Sequence, residues 1–188
     1  MISLARSVTR FGLWFGGALV LAAALLIGVD VTLRKVLDAS IGGADELAGY
    51  ALALGTAWSL GAALLDRAHI RIDSLYIHFP RWLRLALDFF GIALFVAFFG
   101  LIARHGWSVA QQSWVSGTRS QSALQTPTVI PQAIWLVGLA VFFLVGMALL
   151  AHAAVLVARS KPAQAEKAIS TRSAAEEVEQ EIREIRER

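Results

Sequence analysis

Long apolar runs alternate along this chain with short segments that carry most of its charged residues. Four of these runs are long enough to cross a membrane as α-helices, because a hydrocarbon core of about 30 Å needs about 20 helical residues. We therefore predict an all-α, polytopic membrane protein with four transmembrane helices, at about residues 11–29, 45–65, 85–103 and 130–157.

The first run also has the position of a signal peptide, which would be removed from the mature protein. A signal peptide normally has an apolar region of about 7–15 residues followed by a small-residue cleavage site. Residues 11–29 carry no charge and lead directly to Asp30, without a clear cleavage site. We therefore expect this segment to be retained as a helix.

Lysine and arginine are distributed unequally between the two sides of the predicted membrane domain. Because cytoplasmic loops carry an excess of these residues, the distribution predicts that the N and C termini are both cytoplasmic. Residues 1–10 then form a cytoplasmic N-terminus, residues 11–158 the membrane domain, and residues 159–188 a charged cytoplasmic tail that is partly helical or disordered. The inner side carries Arg6, Arg10, Arg67, Arg71, Arg81, Arg84, Arg159, Lys161, Lys167 and Arg172, against Arg34, Lys35, Arg104 and Arg119 on the outer side.

Composition supports the same class of protein. Hydrophobic residues make up 57% of the chain and charged residues only 16%, whereas a soluble domain has about 25% charged residues. The net charge of +3 does not indicate nucleic-acid binding, since the basic residues lie between apolar runs rather than on one face. The absence of cysteine from the sequence excludes disulfides and thiol chemistry.

The pattern of polar residues does not indicate catalysis, and we expect no enzyme activity, no metal site and no cofactor. His105 and His152 fall at opposite ends of two antiparallel spans, so they cannot hold one haem between them. The middles of the spans contain only weakly polar groups such as Thr56 and Ser59, whereas carriers usually place polar groups there. A helper subunit therefore fits best; the alternatives are a stand-alone carrier and a haem- or quinone-binding membrane protein.

The second predicted span offers candidate interface residues. Its small residues Gly49, Ala53, Ala57 and Gly61 are spaced four apart and share one helical face. Such a face lets another helix approach closely, and this helix belongs either to the same chain or to a separate subunit. Glu46 either complements the positive end of the helix dipole or contacts a partner.

The turn after the second span contains three further candidates, Arg67, His69 and Asp73. These residues form either a solvated turn that sets the orientation of the helix, or a hydrogen-bonded turn. In the second case the turn fixes span two against span three or contacts a larger subunit from the inside.

Charged and aromatic residues outside the span centres complete the set of candidates. Asp88 follows Arg84 by four residues, which predicts an ion pair within one helix. Trp107 and Trp114 lie in a polar segment after the third span and predict that this segment lies against the membrane surface. Together with Arg34, these two tryptophans are candidate contacts with a partner on the outer face.

Several of these features occur together in one known family. Asp45-Glu46 opens span two, and Arg67-Ala68-His69-Ile70-Arg71-Ile72-Asp73 follows it directly. Ser122-Ala123-Leu124, followed by Pro131, leads into span four. In these positions, over about residues 10–158, the chain resembles the small membrane subunit of TRAP-type tripartite transporters, the DctQ-like family.

The resemblance implies a small permease subunit in the bacterial inner (cytoplasmic) membrane. It implies two protein partners: a large permease subunit that carries the substrate with sodium ions, and a periplasmic substrate-binding protein that delivers an organic anion, often a carboxylate. The small subunit would steady the scaffold while the large one moves. The residues that choose the substrate would lie on the other chains.

Overall fold

The computed structural model describes residues 2–68, 76, 78–170, 178, 182, 185 and 186. The described part contains five helices: α1 (Ile2–Leu37), α2 (Ala44–Leu65), α3 (Arg81–Ser116), α4 (Val129–Ala158) and the short α5 (Pro162–Ile169). The first four are long and apolar enough to cross a membrane. The prediction of an all-α membrane protein with four membrane-spanning helices is therefore confirmed.

The helices extend beyond the apolar runs from which they were predicted. α1 and α3 each contain 36 residues, which corresponds to about 54 Å and exceeds the thickness of a hydrocarbon core. Residues 104–116, which hydropathy separates from the third span, continue α3 without a break. α3 ends only where Gly117 adopts a φ of 62°, because glycine takes this left-handed conformation without a steric cost.

The chain forms two compact units, the first made of residues 1–62 and 97–145 and the second of residues 63–96 and 146–188. In the first unit, α1 packs against α2 at very short distance. A Cβ added to Gly16 would lie 2.6 Å from the carbonyl oxygen of Gly55 and 2.6 Å from Ser59 Oγ. Only glycine permits such an approach between two helix backbones, which is how helices commonly pack in lipid.

The α2–α4 contact in the first unit depends on the large ring of Trp58. Its Nε1 donates a hydrogen bond to the carbonyl oxygen of Ile134 (3.0 Å). A Cβ added to Gly138 would lie 2.8 Å from the same ring, so a glycine on α4 makes room for it. Nearby on α4, Phe142 is fully buried and contacts Phe99 of α3 edge to face, with ring centroids 4.7 Å apart.

The second unit packs around smaller residues. A Cβ on Gly146 of α4 would lie 2.5 Å from Val96 Cγ2 of α3 and 3.6 Å from Leu64 of α2. Ala165 of α5 is fully buried. The first turns of the predicted charged tail are thus a helix, whereas the prediction for the tail beyond residue 170 falls largely outside the described residues.

Candidate functional site

Asp30 is a buried carboxylate near the C-terminal end of α1, and it organises the loop between α1 and α2. Its side chain accepts hydrogen bonds from the backbone N–H of Ile41 (2.7 Å) and from Ser40 Oγ (3.0 Å). Arg34, one turn later on the same helix, pairs with it at 2.6 Å. A buried charge is tolerated when it is paired and hydrogen-bonded in this way. Arg34, predicted as a contact with a partner, thus has a role within its own chain.

Glu46 lies at the first turn of α2 and accepts hydrogen bonds from three hydroxyl groups, which together with it we call the Glu46 cluster. Tyr50 Oη donates to one carboxylate oxygen (2.6 Å). Ser120 Oγ donates to the other (3.0 Å), and Ser122 Oγ donates to the same oxygen. The two serines belong to the loop between α3 and α4, so Glu46 ties that loop to the start of α2.

The loop of residues 117–128 is itself folded into a small hairpin. Arg119 and Pro127 form an antiparallel bridge. The backbone N–H of Ser120 donates to the carbonyl of Thr126 (2.9 Å), and that of Thr128 donates to the carbonyl of Thr118 (3.1 Å). These bonds hold the serines of the Glu46 cluster on a defined backbone.

The hydroxyl groups of Ser120 and Ser122 each accept a hydrogen bond from the backbone in addition to donating one to Glu46. Ser120 Oγ accepts from the backbone N–H of Thr126 (3.0 Å), and Ser122 Oγ accepts from the backbone N–H of Leu124 (3.1 Å). A hydroxyl carries only one hydrogen. Because a backbone N–H binds a lone pair of each serine oxygen, the single hydroxyl hydrogen of each serine can be donated to Glu46. Carboxylate and loop therefore form one connected polar network.

Leu124 covers the glycine turn that precedes α2. A Cβ added to Gly43 would lie 2.6 Å from Leu124 Cγ and Cδ1, and Gly43 has a φ of 89°. Both space and backbone conformation therefore require glycine at this position. The Ser122-Ala123-Leu124 motif thus has a physical role in which the serine binds the carboxylate and the leucine packs on the turn.

The small-residue face predicted on α2 divides into two halves. Ala57 is buried, and a Cβ added to Gly61 would lie 2.9 Å from Thr9 Cγ2 of α1. Gly49 and Ala53 are exposed, and nothing lies within 4 Å of a Cβ added to Gly49. One half therefore packs within the chain, whereas the other half is open.

A close contact between α1 and α2 involves two glycines that were not among the predicted interface residues. Gly12 and Gly16 of α1 form a G-x-x-x-G pattern, and a Cβ added to Gly12 would lie 2.5 Å from the carbonyl oxygen of Trp58. This pattern in an apolar run is a known signal for close helix packing, and it is visible in the sequence. Its partner helix was not visible there.

Trp107 and Trp114, predicted to contact a partner, lie on the exposed surface of α3, with exposed fractions of 66% and 73%. They border a groove of about 570 Å³ between α3 and α4, whose floor includes Ala133 and Ala140 of α4. The lining is apolar except for Gln111. The groove is therefore an apolar feature on the surface of the first unit.

The predicted turn after α2 is described only as far as residue 68. The backbone of Arg67 is strained, because its φ of 57° lies in the left-handed region. Its backbone N–H donates to the carbonyl of Leu64, and that of Ala68 donates to the carbonyl of Ala63, which is the Schellman geometry that usually takes glycine. The Arg67 side chain donates from Nε to the carbonyl of Ser170 and from Nη2 to Ser170 Oγ (2.9 Å). His69 and Asp73 lie outside the described residues.

The prediction of an ion pair between Arg84 and Asp88 is wrong. Asp88 accepts a hydrogen bond from Tyr76 Oη (2.6 Å), and Arg84 lies 3.8 Å from Glu166 of α5. Spacing along one helix identified two charges that can meet, but tertiary contacts brought a different partner to each.

These polar groups serve to hold segments together. Within the described residues, no group of histidine, aspartate and glutamate side chains is arranged to hold a metal ion. The carboxylates of Asp30 and Glu46 are each occupied by donors from neighbouring loops. The arrangement fits a structural role for these carboxylates.

Over residues 11–156 the chain matches the protein-family model described as Tripartite ATP-independent periplasmic transporters, DctQ component. The match covers α2 and α3 completely, most of α1 and α4, and both loops of the first unit. Neither a curated protein nor a solved structure matches the chain.

Proposed function

Because the chain belongs to the DctQ family of TRAP transporter small permease subunits, we propose that it scaffolds a large permease subunit. The transporter as a whole takes up an organic anion, often a carboxylate, together with sodium ions. A periplasmic binding protein delivers the anion. In this proposal the chain lies in the bacterial inner membrane with both termini in the cytoplasm.

The observation that carries this proposal is the family match, and the distribution of polar groups supports a scaffolding role. The Glu46 cluster fixes the loop between α3 and α4 to the start of α2. Asp30 fixes the loop between α1 and α2 in the same unit. Two loops held by buried or half-buried carboxylates give a rigid outer surface, as a stationary subunit requires.

The groove between α3 and α4 is the surface that we assign to the large subunit, with a transmembrane helix of that subunit as its occupant. Trp107 and Trp114 provide large apolar area at its edge, and tryptophan is enriched where subunits bind tightly. The small side chains of Ala133 and Ala140 leave room for the approaching helix.

Filling the groove tests this assignment. Replacing the exposed Ala133 by tryptophan (Ala133→Trp) leaves the packing within the chain intact and blocks the approach of a partner helix. We expect co-purification of the large subunit in mild detergent to fall at least fivefold. Ala151→Trp, at an exposed residue of the same helix outside the groove, is the control and should co-purify normally. If Ala133→Trp retains the large subunit as well as Ala151→Trp does, the groove is not the docking surface.

The proposed orientation has a direct test, because the sequence contains no cysteine. A cysteine introduced by Gln121→Cys, at an exposed position of the outer hairpin, should react with a membrane-impermeant maleimide in intact cells. A cysteine introduced by Ala163→Cys, at an exposed position of α5, should react only after permeabilisation. The reverse pattern of labelling would refute the orientation.

Transport itself is tested in vesicles that contain this chain, the large subunit and the binding protein. Uptake of a radiolabelled organic acid should require all three components and an inward sodium gradient. Uptake by this chain alone would show that it is a self-sufficient carrier and would contradict the scaffolding role.

A further inference from the structure

A second pocket lies in the second unit, where the start of α3 meets α5. It has a volume of about 470 Å³, and its charged and aromatic lining consists of Arg81, Trp82, Arg84 and Glu166. Two positive charges face one negative charge, so the lining retains an excess positive charge. The pocket does not overlap the Glu46 cluster or the groove assigned to the large subunit.

The hydrogen-bonding capacity of Arg84 is not used up by its neighbours. Its Nε is shielded from solvent and has no hydrogen-bond partner among the described residues. Among the described residues, a carboxylate oxygen of Glu166 lies 3.8 Å away, which is beyond hydrogen-bond distance. Shielded donors in proteins are nearly always paired. The Arg84 guanidinium group lies 5.8 Å from the centre of the Tyr76 ring, but its Nε–H remains a shielded donor that no described residue accepts.

The level of the pocket relative to a membrane follows from the sequence around it. The apolar run of α3 begins at Leu85, directly after Arg84, and Trp82 is 71% exposed. Exposed tryptophan at the end of a membrane-spanning helix marks the boundary between hydrocarbon and headgroups. The pocket therefore opens at the depth at which lipid phosphates lie.

We propose that this pocket binds the phosphate group of a membrane phospholipid. Arg81 and Arg84 supply the charge and the N–H donors, since arginine matches the geometry of phosphate oxygens. Trp82 lies beside the glycerol region of the lipid. α5 closes the pocket, and the burial of Ala165 holds α5 in place. The lipid joins α3 to the segment that follows the last membrane helix.

Native mass spectrometry of the full chain, titrated with phosphatidylglycerol, tests the two arginines. Each arginine near a membrane surface contributes about fivefold to the binding of an anionic lipid. We therefore expect the double variant Arg81→Gln/Arg84→Gln to bind the lipid roughly 30-fold more weakly than the wild type. Arg104→Gln, which removes an exposed arginine of the same helix outside the pocket, should bind like the wild type. Equal affinities for the double variant and this control would overturn the proposal.

A second measurement uses only the wild-type chain and remains decisive if the double variant does not fold. Phosphatidylglycerol should raise the Tm of the protein in detergent, whereas diacylglycerol with the same acyl chains should not. Equal stabilisation by diacylglycerol would overturn the role of the phosphate. Inorganic phosphate at millimolar concentration should neither raise the Tm nor displace the lipid. Displacement would show that the pocket binds a free anion rather than a lipid.

Discussion

One contact in each compact unit joins segments that are far apart in the chain, and the two contacts use different kinds of side chain. In the first unit, Ser120 and Ser122 reach the carboxylate of Glu46 with short hydroxyl side chains. In the second unit, Arg67 reaches Ser170 with a long guanidinium side chain. A serine Oγ lies close to its own backbone, so its hydrogen bond requires that the backbone be positioned accurately. Arginine spans a range of distances and tolerates some displacement of the segments it joins.

This difference has an energetic consequence. An arginine side chain loses up to about 2 kcal/mol of conformational free energy when it is held in one rotamer, whereas a serine loses less. The contacts of the first unit therefore cost less side-chain entropy but demand a fixed backbone. The close approach of Gly16 to Gly55 and the hairpin of residues 117–128 provide that backbone. The serine contacts to Glu46 thus depend on a backbone that these neighbouring contacts hold in place.

The largest effect is expected from removing the central carboxylate of the first unit. Glu46→Ala leaves three hydroxyl donors without their acceptor. Hydrogen bonds to charged groups contribute about 1.5–3 kcal/mol each and are not additive. We therefore expect the free energy of unfolding, measured by denaturant titration in detergent, to fall by about 3 kcal/mol.

Asp45 provides the matched control for Glu46, because it is the neighbouring acid on the same turn. Its side chain is 87% exposed, and its contact with Arg34 is long, at 3.9 Å. Exposed ion pairs contribute about 0–1 kcal/mol. Asp45→Ala should therefore change the free energy of unfolding by less than about 1 kcal/mol. If the two variants lose the same stability, the Glu46 cluster does not hold the loop.

The next largest effect concerns the glycine contact between α1 and α2. Gly16→Ala places a methyl group 2.6 Å from the carbonyl oxygen of Gly55, and the two helices must separate. Overpacking of this kind costs typically 1–3 kcal/mol, so the Tm in detergent should fall by several degrees. Gly17→Ala is the control, since nothing lies within 4 Å of its added Cβ. A normal Tm for Gly16→Ala would show that the helices adapt readily.

The smallest effect is expected from two glycine substitutions in the second unit, which separate the contribution of a side-chain contact from that of backbone strain. Arg67 and Ser160 both follow a helix in the left-handed conformation, each with a φ of 57°. A non-glycine residue in this conformation costs roughly 1 kcal/mol. Glycine also gives the unfolded chain more conformational freedom, which offsets about 0.4–1 kcal/mol of this gain. Ser160→Gly should therefore raise the free energy of unfolding by at most about 0.5 kcal/mol. Its side chain is exposed.

Arg67→Gly should have the opposite sign, although it relieves the same backbone strain. The variant also removes two hydrogen bonds to Ser170, so we expect a net loss of about 1 kcal/mol. The comparison of the two glycine variants by denaturant titration cancels the common backbone term. Equal stabilisation of both variants would mean that the Arg67 side chain contributes nothing to the second unit.

The sequence by itself determined the class of the protein and the existence of its four long helices. Both properties follow from local patterns, because an uncharged run of about 20 residues is long enough to cross a bilayer as a helix. The family resemblance was also local, since it rested on short motifs at the helix ends, such as Ser122-Ala123-Leu124. The G-x-x-x-G pattern of α1 was visible in the sequence in the same way.

Only the tertiary structure decided which groups meet. Glu46 and Ser122 are 76 positions apart in the chain, and Arg67 and Ser170 are 103 apart. Asp88 received Tyr76 as its partner instead of Arg84, although spacing favoured the pair on one helix. The physical reason is that a polar side chain bonds to whichever complementary group the folded backbone brings within about 3 Å. Periodicity fixes the face of a helix, but the neighbour of that face depends on contacts between distant parts of the chain.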